Sequence, residues 1–197
     1  MEKLVFLFRR KPGATREDYF RHYITNHSPL GLKHQQRLDA YTVNLVESTA
    51  DFDVVTEIWT PVISEFFGAG KQRSAGEELI VQDHMSFMGP QDTFAVAEQV
   101  VRDGPLTSPL GAASPGAKVV TIHRRGEALP EPAPGAHRVV DNVVLRTILL
   151  ADKLAEPDAS DIEVIRTSWA DNLDALGPLP AGAVSVREYR WRTLADG

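Results

Sequence analysis

One run of residues occurs twice in this chain. KLVFLFRR at residues 3–10 returns as KVVTIHRR at residues 118–125, about 115 residues later. Three further apolar runs follow the first: AYTVNLVE (40–47), DVVTEIW (53–59) and TFAVAEQVVR (93–102). Each has a weaker echo, at residues 139–150, 161–169 and 184–193. The third run closes on Trp in both copies, and Glu188 stands where Glu98 does. Self-similarity at a fixed offset marks an internal duplication, so the fold must be built from two related units.

Within the first copy the runs are short and apolar and are bounded by turn formers, as buried strands are. Lys11-Pro12-Gly13 closes the first run. A helix follows, with Thr15 as N-cap and Asp18 as the acidic partner of a capping box. Phe20, Tyr23, Ile24 and His27 keep helical spacing, and Pro29 disfavours helix at Ser28, so an end near His27 is expected. The short link 48–52 predicts a hairpin. Thr60-Pro61 has the form of an N-cap with Pro at the first helical position, and Ser74-Ala75-Gly76-Glu77 is a capping box for a helix to about His84. The resulting order β-α-β-β-α-β is the ferredoxin-like arrangement.

Pro105, Pro109 and Pro115 mark a linker. In the second copy the place of the first helix is taken by GEALPEPAPGAH (126–137), whose three prolines forbid a useful helix. The expected fold class is α+β: a ferredoxin-like βαββαβ repeat at 1–103, a linker at 104–116 and a degenerate second repeat at 117–197. Each sheet would carry helices on one face and leave a bare apolar face. Exposed patches of that size are rare in monomers, so the bare faces should stack around a cavity suited to a small molecule.

The chain has 197 residues, with 21 Lys and Arg against 27 Asp and Glu, a formal net charge of −6. That balance argues against a nucleic-acid partner and against attachment to an anionic membrane. There is no cysteine, which excludes disulfides, a thiol nucleophile and Cys-ligated metals. No apolar run could span a bilayer, and the first ten residues do not form a signal peptide, so a cytoplasmic protein is expected. H-E-x-x-H, G-x-G-x-x-G, P-loop and G-x-S-x-G patterns are missing, so neither a metal nor a cofactor is expected.

The first copy has a family resemblance. KLVFLFRRKPGATREDYFRHYITNHSPL resembles the opening of EthD-domain proteins: a strand ending in basic residues, Pro-Gly, a capped helix with aromatics, then His-x-Pro-Leu. The strands near residues 41–46 and 54–59 and the tail 92–102 fit as well, so the resemblance covers about residues 1–103. It implies the dimeric α+β barrel superfamily, here as an intramolecular pair. Members of that superfamily include cofactor-free cyclases, dehydratases, isomerases and monooxygenases acting on aromatic or polyketide substrates, and also haem-handling proteins.

The resemblance implies a role for His27, which matches the His of the family motif. A helix C-terminus raises an imidazole pKa and burial lowers it, so such a group can move a proton near neutrality. The alternative is a His that hydrogen-bonds the last helix carbonyls. Tyr23, one turn earlier, is either a donor to a substrate oxygen or core. His84 is the third catalytic candidate. Arg146, His123 and Trp59 are the expected substrate-binding residues. Arg146 lies inside an apolar run, where it either meets a carboxylate in the cavity or pairs with Glu98 or Glu188. His123 and Thr121 replace Phe8 and Phe6, which suggests a polar cavity wall or plain exposure. His22, His34 and His137 read as surface residues; His22 and His27, five apart, do not share a face of a regular helix. The function expected is cofactor-independent: proton transfer with dehydration, cyclisation or isomerisation of a small aromatic or polyketide-like carbonyl compound. The alternative is a haem or small-ligand carrier. Further homodimerisation is left open.

Overall fold

The structure, a computed structural model, describes residues 1–67, 73–106, 108–148 and 160–192. The last two residues of the expected 139–150 strand, and 193–197 of the second repeat, lie outside the described residues. Eight strands form: β1 (Glu2–Arg10), β2 (Ala40–Val46), β3 (Val54–Thr60), β4 (Met88–Arg102), β5 (Ala117–Arg124), β6 (Arg138–Thr147), β7 (Ile162–Ala170) and β8 (Val184–Arg192). They close into one antiparallel barrel in the order β1-β3-β2-β8-β5-β7-β6-β4.

The two halves of the barrel have matching registers. Lys3 lies opposite Trp59 and Val96; Lys118 lies opposite Trp169 and Val186. Asn44 lies opposite Val55 and Glu188; Asn142 lies opposite Ile165 and Glu98. The half-sheet β4-β1-β3-β2 is thus matched by β8-β5-β7-β6. The halves join edge to edge at β2–β8 and β4–β6, so the barrel closes within one chain and leaves no unpaired edge.

Strand side chains alternate between two environments. Leu4, Phe6 and Phe8 of β1 point outward, while Val5 and Leu7 point inward. The inward set packs with Val55, Phe94, Val120, Ile165 and Val184, filling one end of the barrel. Each such buried Val or Leu contributes about 1.5–3 kcal/mol relative to exposure. The other end is ionic, which departs from the apolar inner faces expected.

Helices cover only the first half-sheet: α1 (Arg16–His22), a π-helical turn (Tyr23–His27), α2 (Ser28–His34), α3 (Ile63–Phe66) and α4 (Ala75–Phe87). Thr15 accepts from Asp18 N–H, and Ser74 with Glu77 makes the reciprocal box. Gly13, at φ 87, makes the tight turn between β1 and α1. The helix does not end at His27. The wider π turn, closed by Ser28 N–H to Tyr23 C=O, resets the hydrogen-bond register, and Pro29 falls in the first turn of α2, where its missing donor costs nothing. Thr60 belongs to β3, not to a helix cap.

The second half has no α-helix among its described residues. The Pro-rich segment 126–137 crosses its outer face as coil, sealing a small core of Val119, Ala136, Val139, Ala170 and Leu176. Residues 108–116 run along β8, bridging through Leu110 and Ala113 to Arg190 and Tyr189. No helix among the described residues is long and apolar enough to cross a membrane.

Candidate functional site

The π turn creates the first site. Five residues along a regular α-helix turn through about 500°, which sets His22 and His27 on different sides; the wider π turn brings them back together. Both then reach one carboxylate on α4. His27 Nδ1 lies 2.8 Å from Asp83 Oδ2, and His22 Nε2 lies 2.8 Å from Asp83 Oδ1. Burial raises the Asp83 carboxyl, but its bonds to His27 and His22 outweigh this and hold it below its ordinary value. An ionised carboxylate only accepts, so both imidazoles donate to it. In a neutral imidazole that fixes the tautomer, with the lone pair on Nε2 of His27 and on Nδ1 of His22.

His22 lines an open groove of about 470 Å³ between α1, the β1–α1 turn and the end of α4, with Lys11, Tyr19, Arg21, Asn26 and Phe87. His27 sits behind it, with ring centroids 5.3 Å from Tyr23, 5.2 Å from Phe87 and 5.9 Å from His84. The three expected catalytic residues therefore do meet, but between helices and sheet, not at the barrel's mouth. Tyr23 is fully buried, and its hydroxyl pairs with Thr56 Oγ1 at 2.7 Å, so it is bonded to the sheet and not presented to solvent. Burial drives its pKa well up. The Tyr41 hydroxyl, bonded to Ser28, is pushed up to about 12, chiefly by burial. His84 packs edge-on against Phe8, and burial with the nearby His27 lowers its pKa to about 4, so its ring is neutral at pH 7. His22 and Asp83 were missed: reading the helix as regular α set the two histidines apart and hid their shared partner.

The second site is the ionic end of the barrel, a cavity of about 360 Å³. Glu57 lies at its centre, 2.8 Å from Lys3 Nζ and 2.7 Å from Lys118 Nζ. Lys3 also holds Glu98 at 2.7 Å and lies over the Trp59 ring at 4.2 Å. Lys118 repeats this with Glu188 at 2.9 Å and Trp169 at 4.4 Å. Burial would raise the Glu57 carboxyl, but Lys118 and Lys3 outweigh it and hold it well below the usual carboxylate range. Glu188 is held down in the same way, against its burial, by Lys118 and a hydrogen bond from Ser108. Burial would lower Lys118, yet Glu188 and Glu57 raise it. Sequence reasoning found Trp59 here but not the lysines, which read as strand ends.

Two expected binding residues lie elsewhere. Arg146 sits opposite Ala95 on the outward face and is exposed; Glu98 and Glu188 pair with the lysines instead. His123 is neither exposed nor in the cavity. It is buried on the outer face, 3.0 Å from Thr121 Oγ1, where burial and Arg166 lower its pKa. Arg166, opposite Thr121 on the neighbouring strand, holds the Pro-rich segment by the Pro130 carbonyl. No cluster of three or more metal-ligating side chains occurs among the described residues. An axial haem ligand needs a free ring nitrogen facing open space. The His27 ring is enclosed by Tyr23, His84 and Phe87, and neither cavity reaches it or His123, so these histidines do not fit a haem as placed.

A closed eight-stranded barrel of two matched half-sheets, with helices outside, is the dimeric α+β barrel fold, closed here within one polypeptide. Residues 11–91 match the EthD domain family. No curated protein sequence is significantly similar to the chain. Among solved structures, a candidate monooxygenase from Lactobacillus acidophilus NCFM is 7% identical, with 96% of this chain and 93% of that one covered at a TM-score of 0.50. A mutant chlorite dismutase from Candidatus Nitrospira defluvii in complex with cyanide is 11% identical, with 95% and 90% covered at 0.46.

Proposed function

We propose that the chain is a cofactor-independent enzyme that moves a proton on a small aromatic or polyketide-like carbonyl compound, with dehydration, cyclisation or isomerisation as the outcome. One observation carries this: Asp83 holds two imidazoles, His22 at the wall of a groove of substrate size and His27 behind it. The substrate lies in the groove against Phe87 and Tyr19. His22 Nδ1 takes a proton from the carbon next to the carbonyl, and the electron pair moves onto the carbonyl oxygen. Lys11 at the groove wall offers positive charge where that enolate forms. The imidazolium is stabilised by Asp83, whose second oxygen is kept in place by His27. Return of the proton to a β-hydroxyl expels water; return to a different carbon isomerises. Tyr23, anchored to Thr56, fixes the π turn, and neutral His84 closes the space behind His27 without adding charge.

In this reading the chain consists of two ferredoxin-like repeats, 1–103 and 117–197, joined by 104–116. The matched strand orders and registers support that division. Only the first repeat keeps the helices that build the groove, so it carries the chemistry and the second completes the barrel.

The test needs no known substrate. A panel of β-dicarbonyl and aromatic ketone compounds is incubated with the protein in D₂O, and loss of the acidic C–H signal is followed by NMR. Exchange on at least one compound is expected, slowed about 10²-fold or more in His22→Ala and clearly in His27→Ala. No exchange across the panel, or equal exchange in both variants with the fold intact, refutes the proposal. A Soret band on haem titration would favour the carrier alternative.

A further inference from the structure

The internal two-fold is broken at the mouth of the barrel. Matching registers pair Lys3 with Lys118, Trp59 with Trp169 and Glu98 with Glu188. The same registers set Arg138 against Ala40, since both lie opposite the tryptophan of their own half. Continuing β4 and β8 two residues beyond Glu98 and Glu188 sets Arg190 against Val100. The second half thus places guanidinium groups where the first has small apolar side chains. Both arginines line the 360 Å³ cavity.

Neither is used up by the ionic network behind it. Glu57, Glu98 and Glu188 bond Lys3 and Lys118, three carboxylates against two ammonium groups, and none of the three bonds either arginine among the described residues. Arg190 has no side-chain partner among the described residues. Arg138 meets Asp103 and the Gly104 carbonyl through Nη1, but its Nε–H is buried with no acceptor. A buried donor without a partner is rare in a settled interior. Trp59 and Trp169 wall the cavity between these arginines and the lysines.

We propose that this mouth binds a small planar carboxylate, an aromatic or heteroaromatic acid, with its carboxylate between Arg138 and Arg190 and its ring against the parts of Trp59 and Trp169 that line the cavity and that Lys3 and Lys118 do not cover. Guanidinium forks match carboxylate geometry, and indole rings offer a flat body an apolar wall. A cavity of this volume lies in the range of small-ligand pockets. The site is separate from the groove. Thr56 on β3 faces the helices and Glu57, the next residue, faces the barrel, so the sheet stands between them.

Calorimetric titration with 2-naphthoate tests this, with 2-naphthamide as the neutral isostere and ¹⁵N NMR of the three tryptophans as the locator. Saturable 1:1 binding of the acid is expected, at least tenfold tighter than the amide. Arg190→Gln and Arg138→Gln should each weaken it about tenfold or more. Arg190→Gln leaves no group unpaired, so it keeps the fold and separates binding from stability. The indole signals of Trp59 and Trp169 should move while that of Trp191 stays. Absence of saturable binding by 2-naphthoate, benzoate and indole-3-carboxylate overturns the proposal. So does equal affinity for acid and amide, or unchanged affinity in Arg190→Gln.

Discussion

Replacing Lys118 by Met should destabilise the fold far more than replacing Glu57 by Gln, though both remove one charge from the same network. Lys118 is about 1% exposed and answers Glu57 at 2.7 Å and Glu188 at 2.9 Å. Without its ammonium, three carboxylates face Lys3 alone, and two of them are buried. Stripping one partner from a buried pair costs about 3–5 kcal/mol. Glu57→Gln instead leaves two complete pairs, Lys3–Glu98 and Lys118–Glu188, one in each half. The amide oxygen still accepts from a lysine, so the loss should be about 1–2 kcal/mol. For a chain of this length the melting temperature should fall by roughly 6–20 °C in Lys118→Met and by a few degrees in Glu57→Gln. Thermal and urea unfolding at pH 7, read by circular dichroism and tryptophan fluorescence, measure both. The pH dependence has a definite sign. Glu57 and Glu188 have depressed folded pKa values, so their contribution is full above the ordinary carboxylate value and is lost as pH falls through the folded one. Lys118, raised, contributes below its ordinary value of 10.5 and loses this as pH climbs past its folded value. Lys118→Met removes that contribution, so its deficit against the parent protein should be largest near neutral pH and shrink as acid protonates Glu57 and Glu188. If Glu57→Gln proves as damaging as Lys118→Met, or Lys118→Met is harmless, the network is not the pairing described.

Asp83→Asn keeps the shape of the groove but removes the carboxylate that fixes both tautomers; proton exchange in the D₂O assay should fall by about 10²-fold, with melting changed far less. His84 should titrate near its lowered pKa of about 4 by NMR. Because that value lies below the unfolded one, its contribution to stability is complete above pH 6.5 and is lost as pH drops toward 4, so His84→Phe should soften acid unfolding in that window. Gly104→Ala should destabilise by about 1–3 kcal/mol in urea, since a Cβ there would stand 2.1 Å from the His137 carbonyl oxygen.

The repeated KLVFLFRR-type run and the closing tryptophans made the strands legible, because strand side chains obey a period of two; the edge-to-edge pairing of the two halves was not, since the bare faces were expected to stack. The caps at Thr15 and Ser74 were equally plain, since a capping box is local chemistry. What stayed hidden depends on geometry that sequence spacing does not encode. Pro29 was a sound reason to stop a regular helix, but the π turn at Tyr23–His27 carried the chain past it and swung His22 onto the side of His27. Lys3 and Lys118 stood out only as the first residues of two apolar runs. Only closure of the barrel turns those ends inward, and only there does Glu57 meet both. His123 looked exposed because the proline-rich coil that Arg166 holds on that side of the sheet has no periodicity.

Closure within one chain also explains why the two-fold is imperfect. Glu57 bridges both lysines, and the same position of the second half is Thr167. In a dimer of identical chains every residue appears twice, so a carboxylate at this position would come with its copy. Four carboxylates would then crowd two ammonium groups in a space that Glu57, Glu98 and Glu188 already share with Lys3 and Lys118. Repulsion between like charges in a poorly solvated interior would oppose that arrangement. On one polypeptide each position occurs once, and the constraint is absent. One half has Glu and the other Thr; one half has the helices and the groove, and the other has a proline-rich segment on its outer face and arginines at the barrel's mouth. The asymmetry therefore follows from having both halves on one polypeptide, and it is what allows two chemically different sites to stand on opposite sides of the same sheet.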